Sequence, residues 1–246
     1  MEILGIDVGG TGIKGAIVNI KTGELVSEKH RIPTPKGAKP DDVADEIAAM
    51  VKHFDWKGEV GCGFPSIITH GKVLSASNIH KSWKGLQADD LFSKRTGLEF
   101  HIVNDADAAG LAAMTFGAGK DKDGLVIMIT IGTGLGSGMF YNGVLVPNIE
   151  LGTVPYKKYK YFEHYASNSA RKRDDLSYKK WGKRFNEFLK FVEFLASPDL
   201  IILGGGASKK IDKFKAQFTV NVPVVASEFE NEAGIVGAAI AASRKL

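Results

Sequence analysis

The opening of the chain alternates short apolar runs with glycine-rich or polar turns. Residues 3–8 form an apolar run that stops at Gly9-Gly10-Thr11-Gly12, a second run covers 13–20, and a third covers 24–32 after a Lys-Thr-Gly turn. Apolar runs of this length, bounded by glycine and polar residues, are typical of β-strands. We therefore expect three strands, the first two joined by a glycine loop.

The same pattern returns in the second half of the chain. Residues 125–131 are apolar and β-branched, the glycine-rich stretch 132–138 follows, and 139–141 resume the apolar pattern. Asn142-Gly143 is a strong signal for a type I′ hairpin turn before 144–146. The sequence thus predicts two copies of one unit, which is what a duplicated phosphate clamp needs.

Other segments show helical or strand patterns. Apolar residues recur at helical spacing in some, and short buried runs mark others. The predicted helices are 40–54, 106–116, 178–195 and 232–242, the predicted strands are 60–64, 101–103 and 199–203, and 71–75 is a hairpin arm. The last helix is so rich in Ala and Gly that it predicts close packing.

Composition narrows the class of protein. Of 246 residues, 44% are hydrophobic and 24% charged, as in ordinary globular domains. No apolar stretch approaches the roughly 18 residues of a membrane span, and the start of the chain lacks a basic signal-peptide region. The single cysteine, Cys62, excludes an intrachain disulfide and a thiolate zinc cluster. We expect a cytoplasmic protein without membrane contact or structural zinc, with Cys62 buried.

The formal charge of +4 is unevenly placed. Between Tyr156 and Lys190, eleven Lys and Arg face four acids, Glu163, Asp174, Asp175 and Glu187. The local excess suggests a surface that faces a polyanion. A solvated helix face explains it equally well. We expect no nucleic-acid partner, because no nucleic-acid motif accompanies the tyrosines of this run.

Three glycine stretches are candidate phosphate-binding loops: 9–12, 132–138 and 204–206. Each follows an apolar strand directly, and glycine lets backbone amides approach an anion closely. The GxxxxGK[ST] pattern is missing and no helix follows the first loop, so a P-loop and a dinucleotide-binding fold are excluded. Three such loops favour phosphoryl transfer.

Acids stand near the loops. Asp7 precedes the first loop by one residue and could hold hydrated Mg²⁺ or cap the turn. Lys14 follows the loop and could contact a phosphate or lie on the surface. Asp105 could be a base at an acceptor hydroxyl, or else Asp105 or Asp107 is an acid placed at a helix N-terminus. His70, His80 and His164 are separated and show no metal-ligand spacing.

Longer motifs show that the chain resembles the ROK family of sugar kinases, and within it the branch of polyphosphate- or polyphosphate/ATP-dependent glucokinases. The matches are GIDVGGTGIKGA (5–16), GFPSIITHG (63–71), NIHKSW (78–83), NDADAAGLA (104–112), FGAGK (116–120), TIGTGLGS (130–137), NGVLVPN (142–148), PDLIILGGG (198–206) and AGIVGAA (233–239). NDADAAGLA together with NIHKSW points to the polyphosphate branch.

The resemblance implies an α/β, actin-like (ribonuclease H-like) two-domain fold with a central cleft, and a homodimer that uses Mg²⁺. The implied small domain is 1–108, with 230–246 packing back on it, and the implied large domain is 109–229. The implied reaction moves a phosphoryl group from polyphosphate, ATP or both to the 6-hydroxyl of glucose or a related hexose. The basic run would then be a polyphosphate track.

Residue roles follow from matching motif positions. Asp105 would be the general base and Asp7 would lie near the metal. The implied sugar ligands are Asn78, Asn104, Glu150, Thr153 and, least directly, Glu163. The implied phosphate or nucleotide ligands are Gly9, Gly10, Thr11, Gly12, Lys14, Thr130, Gly132, Thr133, Gly134, Gly136, Gly204, Gly205 and Gly206.

The chain departs from the family pattern at one sugar contact. The family's ExGH motif reads Glu150-Leu151-Gly152-Thr153, so a shorter threonine replaces histidine. This change keeps two alternatives open: a non-catalytic sugar sensor, and an ATP-only kinase for mannose or an N-acetylhexosamine. Retention of Asp105 and of all three glycine loops argues against the sensor. The cysteine-rich zinc motif of many members is missing, in accord with the single cysteine.

Overall fold

Two five-stranded sheets organise the chain. The computed structural model describes residues 1–76, 79–229 and 232–246. The chain divides into two compact units, one made of Met1–Ala112 with Glu232–Leu246 and the other of Ala113–Asn231. Each unit has its own sheet and its own hydrophobic core.

The sheet of the first unit has the order β3-β2-β1-β4-β7. Its strands are β1 (Glu2–Val8), β2 (Ile13–Asn19), β3 (His30–Ile32), β4 (Val60–Phe64) and β7 (Phe100–Asn104), and a separate hairpin is formed by β5 (Ile68–Thr69) and β6 (Lys72–Val73). Strand β1 pairs antiparallel with β2 and parallel with β4, and β4 pairs parallel with β7. The first glycine loop therefore joins two neighbouring strands, as predicted.

The sheet of the second unit repeats this arrangement, with the order β10-β9-β8-β11-β12. Its strands are β8 (Leu125–Ile131), β9 (Leu135–Tyr141), β10 (Val144–Val146), β11 (Leu200–Gly204) and β12 (Val224–Ala226). Strand β8 pairs antiparallel with β9 and parallel with β11, which pairs parallel with β12. The predicted duplication is thus confirmed, down to the pairing directions of the strands.

Seven α-helices accompany the sheets in the described residues. They are α1 (Pro40–His53), α2 (Ala88–Thr96), α3 (Asp105–Phe116), α4 (Glu163–Ala166), α5 (Asn168–Arg173), α6 (Tyr178–Ala196) and α7 (Ala233–Ser243). The four helices predicted from apolar spacing are present, each end within one residue of the prediction. Among the described residues, no helix combines the length and the apolar character needed to cross a membrane.

Two details of the sequence prediction are wrong, and one stretch without a predicted element contains helices. Of the run 24–32 only β3 is a strand, because the side chain of Ser27 accepts the Ile17 amide hydrogen at 2.9 Å where a strand would offer a backbone carbonyl. The second glycine loop ends before Leu135, since Gly136 and Gly138 lie in β9 and pair with Thr130 and Met128. The polar stretch 156–176 contains α4 and α5, which had not been predicted.

Helix α7 packs directly against backbone. A Cβ added at Gly237 would overlap the carbonyl oxygen of Ala108, one at Gly61 that of Ala238, and one at Gly5 that of Ile235. These glycines are needed for their small size, because the elements approach closer than any side chain allows. The close packing predicted from composition is confirmed.

We expect Gly237→Ala to lower the free energy of unfolding by about 2–3 kcal/mol, because the added methyl group has no room. Urea denaturation monitored by circular dichroism measures the change. In an open helix the same substitution would stabilise the protein by roughly 1 kcal/mol. A gain in stability would therefore show that α7 does not pack as closely as described.

Candidate active site

Three charged side chains lie side by side across the sheet of the first unit. Asp7 on β1 is opposite Lys14 on β2, and Lys14 is opposite Arg31 on β3. The Lys14 ammonium is 3.5 Å from the Asp7 carboxylate. Arg31 donates a hydrogen bond of 2.6 Å to the carbonyl of Thr11. The first glycine loop thus has two cations and one carboxylate at its base.

The loop itself is a tight turn with unused amides. The Gly9 amide donates to the Gly12 carbonyl at 3.0 Å, and Thr34 donates its hydroxyl hydrogen to the Gly9 carbonyl. Within the described residues, the amides of Gly10 and Thr11 make no backbone hydrogen bond. The loop borders an open depression of about 510 Å³, lined by Gly10, Thr34, Pro35, Lys36, Gly37, Ala38, Ile79 and His80. Unused amides beside cations favour anion binding.

Asp7 is a buried carboxylate with a perturbed pKa. Its side chain is 19% exposed, and the N-terminal turn of α7 lies against it at Gly234. Burial raises the pKa of Asp7, and the nearby Lys14 ammonium offsets part of this rise. Burial likewise raises the pKa of the Cys62 thiol, with a smaller effect from the Asp7 charge. Cys62 is fully buried and unpaired, as predicted.

Asn104 and Asp105 form the junction between β7 and α3. The Asn104 side chain caps α3, accepting hydrogen bonds from the amides of Ala106 (2.8 Å) and Asp107 (3.2 Å). Its amide nitrogen donates to the carbonyl of Ser66 at 3.1 Å. Asn104 is therefore fixed by the fold, whereas Asp105 is the exposed first residue of α3. Asn78, the further expected sugar ligand of this unit, lies outside the described residues.

In the second unit two carboxylates lie near the second glycine loop. The Glu163 carboxylate accepts a hydrogen bond of 3.2 Å from the Leu135 amide and lies directly beside Gly134. Burial, and after it the charge of Glu163, raise the pKa of Glu150. The Thr153 hydroxyl donates to the Glu150 carbonyl at 3.0 Å. The sequence-predicted residues Glu150, Thr153 and Glu163 are thus brought to one part of this unit.

Ser137 positions the segment that carries Glu150. Its hydroxyl donates to the Ile149 carbonyl and accepts a hydrogen bond of 2.9 Å from the Leu151 amide. Gly152 packs so closely on β9 that a Cβ there would overlap the Leu135 carbonyl oxygen. The local structure of this segment is therefore set by β9, the strand that follows the second glycine loop.

Thr130 connects the second and third glycine loops. It pairs with Gly136 on β9 and with Gly204 on β11. The second loop closes through the Gly132 amide, which donates to the Gly134 carbonyl at 3.1 Å. Gly132 and Thr133 are exposed. In the third loop Gly205 has a φ of +77°, and Gly206 is exposed.

Several cations of the basic run already have acidic partners. Lys157 pairs with Glu187 at 2.6 Å, and Arg173 (2.8 Å) and Arg184 (2.6 Å) pair with Asp174. These hydrogen-bonded pairs lower the pKa of Asp174 to about 2. The other lysines of the run form no ion pair in the described residues; they are Lys158, Lys160, Lys172, Lys179, Lys180, Lys183 and Lys190. The run is thus partly neutralised and partly available to an anion.

Arg31 is the site residue that sequence reasoning missed. Its contact with the first glycine loop depends on the register of β3 against β2, which places it opposite Lys14. The signal was present in the sequence, since basic residues occur in both strands. The sequence does not reveal the contact, because the pattern of 24–32 predicts one continuous strand and does not define its register on β2.

We expect Asp7→Asn to raise the melting temperature at pH 7 by about 2–4 °C, because the native protein no longer holds a buried carboxylate. The folded pKa of Asp7 lies above its ordinary value of 3.8, so wild-type stability is lost as pH rises through the folded pKa. The gain should therefore shrink as pH falls through the folded pKa towards the ordinary value of 3.8. Thermal denaturation at several pH values measures it.

The control is Asp41→Asn, which removes an exposed carboxylate from the same unit. An equal gain in both variants would mean that net charge, not burial of Asp7, is responsible. A lower melting temperature for Asp7→Asn at every pH would contradict the prediction.

Comparison with known proteins places the chain in a family. The model described as ROK family matches residues 3–147. The polyphosphate glucokinase of Mycobacterium tuberculosis is 44% identical over 238 residues, which cover 96% of this chain and 89% of the relative. The glucokinase of Thermotoga maritima is 26% identical over 97% of this chain and 96% of its own length.

Similar solved structures support the same family assignment. The inorganic polyphosphate/ATP-glucomannokinase from Arthrobacter sp. strain KM has a TM-score of 0.95 and 43% identity, covering 100% of this chain and 99% of that one. A ROK family glucokinase from Streptomyces griseus in complex with glucose and AMPPNP has a TM-score of 0.86 and 25% identity, covering 99% of this chain and 100% of that one. The expected α/β fold of the actin-like sugar kinases is confirmed, and the chain belongs to the ROK family.

Proposed function

We propose that the protein is a sugar kinase that transfers a phosphoryl group from polyphosphate, ATP or both to the 6-hydroxyl of glucose. The observation that carries this proposal is the first glycine loop, where unused amides lie beside Lys14, Arg31 and the carboxylate of Asp7. The relatives named polyphosphate glucokinase and polyphosphate/ATP-glucomannokinase support it. They do not favour a sensor or an ATP-only kinase for another sugar.

Asp7 is the proposed metal ligand. Mg²⁺ is held in such sites by one or two carboxylates, several waters and the phosphates of the substrate. Asp7 lies near the end of β1 beside the loop. Its ion pair with Lys14 is long, at 3.5 Å, so a metal cation could replace the Lys14 ammonium as the partner of the carboxylate. The residues therefore fit the ion. When bound, Mg²⁺ would neutralise charge on the transferred group. The Gly10 and Thr11 amides and Arg31 would orient the phosphates.

Asp105 is the proposed general base. Its carboxylate would accept the proton of the sugar 6-hydroxyl as that oxygen bonds to the terminal phosphorus. The bond from this phosphorus to the bridging oxygen breaks, and its electron pair stays on the shortened donor. Asn104 supports this role, because its side chain caps α3 and so fixes the position at which Asp105 begins the helix.

The second unit would supply further sugar and phosphate contacts. Glu150 and Glu163 are the proposed acceptors for sugar hydroxyls, with Thr153 beside them. Because the Thr153 hydroxyl donates to the Glu150 carbonyl, it would offer the sugar an acceptor oxygen rather than a donor. The second and third glycine loops, with Thr130 between them, are the proposed phosphate contacts of this unit.

A homodimer and a cytoplasmic location complete the proposal. Exposed apolar side chains in the second unit support a dimer, since Val144, Phe194 and Leu195 offer surface that a second copy could cover. The single cysteine, buried and unpaired, supports a reducing compartment. The proposed partners are polyphosphate and a hexose. We propose no nucleic-acid partner and no membrane contact.

The first test of the function is product formation by the purified protein. We expect glucose 6-phosphate to form from glucose and Mg²⁺ with polyphosphate as donor, and the rate at subsaturating donor to fall as salt rises, because salt screens the basic run. ATP is assayed in parallel. If neither donor gives glucose 6-phosphate, in protein that still binds glucose by calorimetry, the kinase assignment is wrong.

A second test addresses the base. We expect Asp105→Asn to lower kcat by about 10²–10⁴, the usual contribution of a general base, with glucose affinity largely retained. The matched control is Asp42→Asn, which removes an exposed acid from the first turn of α1. If both variants kept near-normal turnover, Asp105 would be an acid that only favours the helix N-terminus.

A further inference from the structure

Three cations converge on one aromatic ring of the second unit. The Arg171 guanidinium lies 4.5 Å from the centroid of the Tyr178 ring, the Lys213 ammonium 5.5 Å and the Lys210 ammonium 5.9 Å. We call Arg171, Lys210 and Lys213 the Tyr178 cluster. Like charges repel at such distances, so their approach needs a compensating attraction. The ring supplies part of it through cation–π contacts.

The ring is held in place by the core. Tyr178 is the first residue of α6, and its ring packs against Trp181 at a centroid distance of 6.1 Å and against Phe214 at 6.3 Å. Both partners are fully buried. Arg171 is fixed as well, because it donates to the Asn168 side chain at 3.0 Å and to the Leu176 carbonyl at 3.4 Å. The cluster therefore rests on a rigid base.

The positive charge of the cluster is not neutralised. Within the described part of the chain, none of the three cations forms an ion pair. The one acid between the two lysines, Asp212, pairs with Lys215 instead. Asp174, the acid nearest in sequence to Arg171, is engaged by Arg173 and Arg184. Three uncompensated charges on a fixed base are suited to a ligand with several negative charges.

The cluster begins just beyond the third glycine loop. Lys210 and Lys213 belong to the 3-10 segment Ser208–Lys213, whose first hydroxyl donates to the Gly205 carbonyl at 2.8 Å. The Lys210 and Lys213 ammonium groups lie 5.9 Å and 5.5 Å from the same ring centroid of Tyr178, so both are on the side of the segment that faces this ring. The two ammonium groups therefore follow the glycine loop along one side. A chain of phosphates that passes the loop would meet them next.

We propose that the Tyr178 cluster binds the distal phosphates of a polyphosphate chain, beyond the third glycine loop of the same unit. The inference rests on the proposed function and adds that the affinity for the donor depends on the length of the phosphate chain. A long chain would contact both the third glycine loop and the cluster, whereas ATP or tripolyphosphate would not reach the cluster. The cluster then favours long donors over short ones.

The test is the double variant Lys210→Gln/Lys213→Gln. Both side chains are exposed, so the fold should be kept, while Arg171 is left in place because its hydrogen bonds are structural. Titration calorimetry gives the Kd for long-chain polyphosphate and for tripolyphosphate at two salt concentrations. Initial rates give the KM for ATP and for glucose. The control, Lys21→Gln/Lys52→Gln, removes two exposed lysines of the first unit that form no ion pair in the described residues.

We expect the double variant to bind long-chain polyphosphate about tenfold more weakly at low salt, with less salt dependence, and the control to bind it normally. Tripolyphosphate affinity and the KM values for ATP and glucose should stay unchanged. An unchanged Kd for the long chain would overturn the proposal. So would an equal loss for tripolyphosphate and ATP, or equally tight binding of an RNA oligonucleotide that the variant loses in parallel.

The binding measurement needs no turnover. If the wild-type protein transfers phosphate from no donor, the proposed function fails, and the calorimetric comparison still decides whether the cluster binds a phosphate chain. If turnover is normal and the two proteins bind the long chain equally, only the inference about the cluster fails.

Discussion

The close contact of α7 with the first sheet is the constraint on which this unit depends. Gly5, Gly61 and Gly237 let the helix meet β1, β4 and α3 at backbone distance, and Gly234 brings its first turn against Asp7. Because Asp7 ends β1 at the glycine loop, the helix that buries the sheet also buries the proposed metal ligand. Packing and chemistry are therefore set by the same small residues.

Burial of Asp7 has a consequence for stability. A carboxylate out of water favours its protonated form, and Lys14 compensates for this only in part. A cation bound near the loop would favour the ionised form, so cation binding would relieve a cost that the free protein bears. Such a cost is common where a site must bind charge strongly.

The sequence was informative where local pattern determines structure. The duplicated strand and glycine loop units, β4 and the long helices follow from periodicity and from turn residues, and the expectation of phosphate binding follows from the loops. Tertiary contacts could not be predicted from the sequence. Arg31 reaches the first loop through strand register, Asn104 caps α3 with the side chain that a motif assigns to sugar, and Lys210 and Lys213 join Arg171 only through the packing of Tyr178.

The two units share a topology but differ in the charges around their loops. In the first, Lys14 and Arg31 lie beside unused amides; in the second, Glu163 lies beside Gly134 and occupies the Leu135 amide. A phosphate close to Gly134 would meet this carboxylate, whereas Thr133 in the same loop is exposed. The duplication thus supplies one backbone topology twice, and the side chains give the first loop cations and the second loop a carboxylate as neighbours.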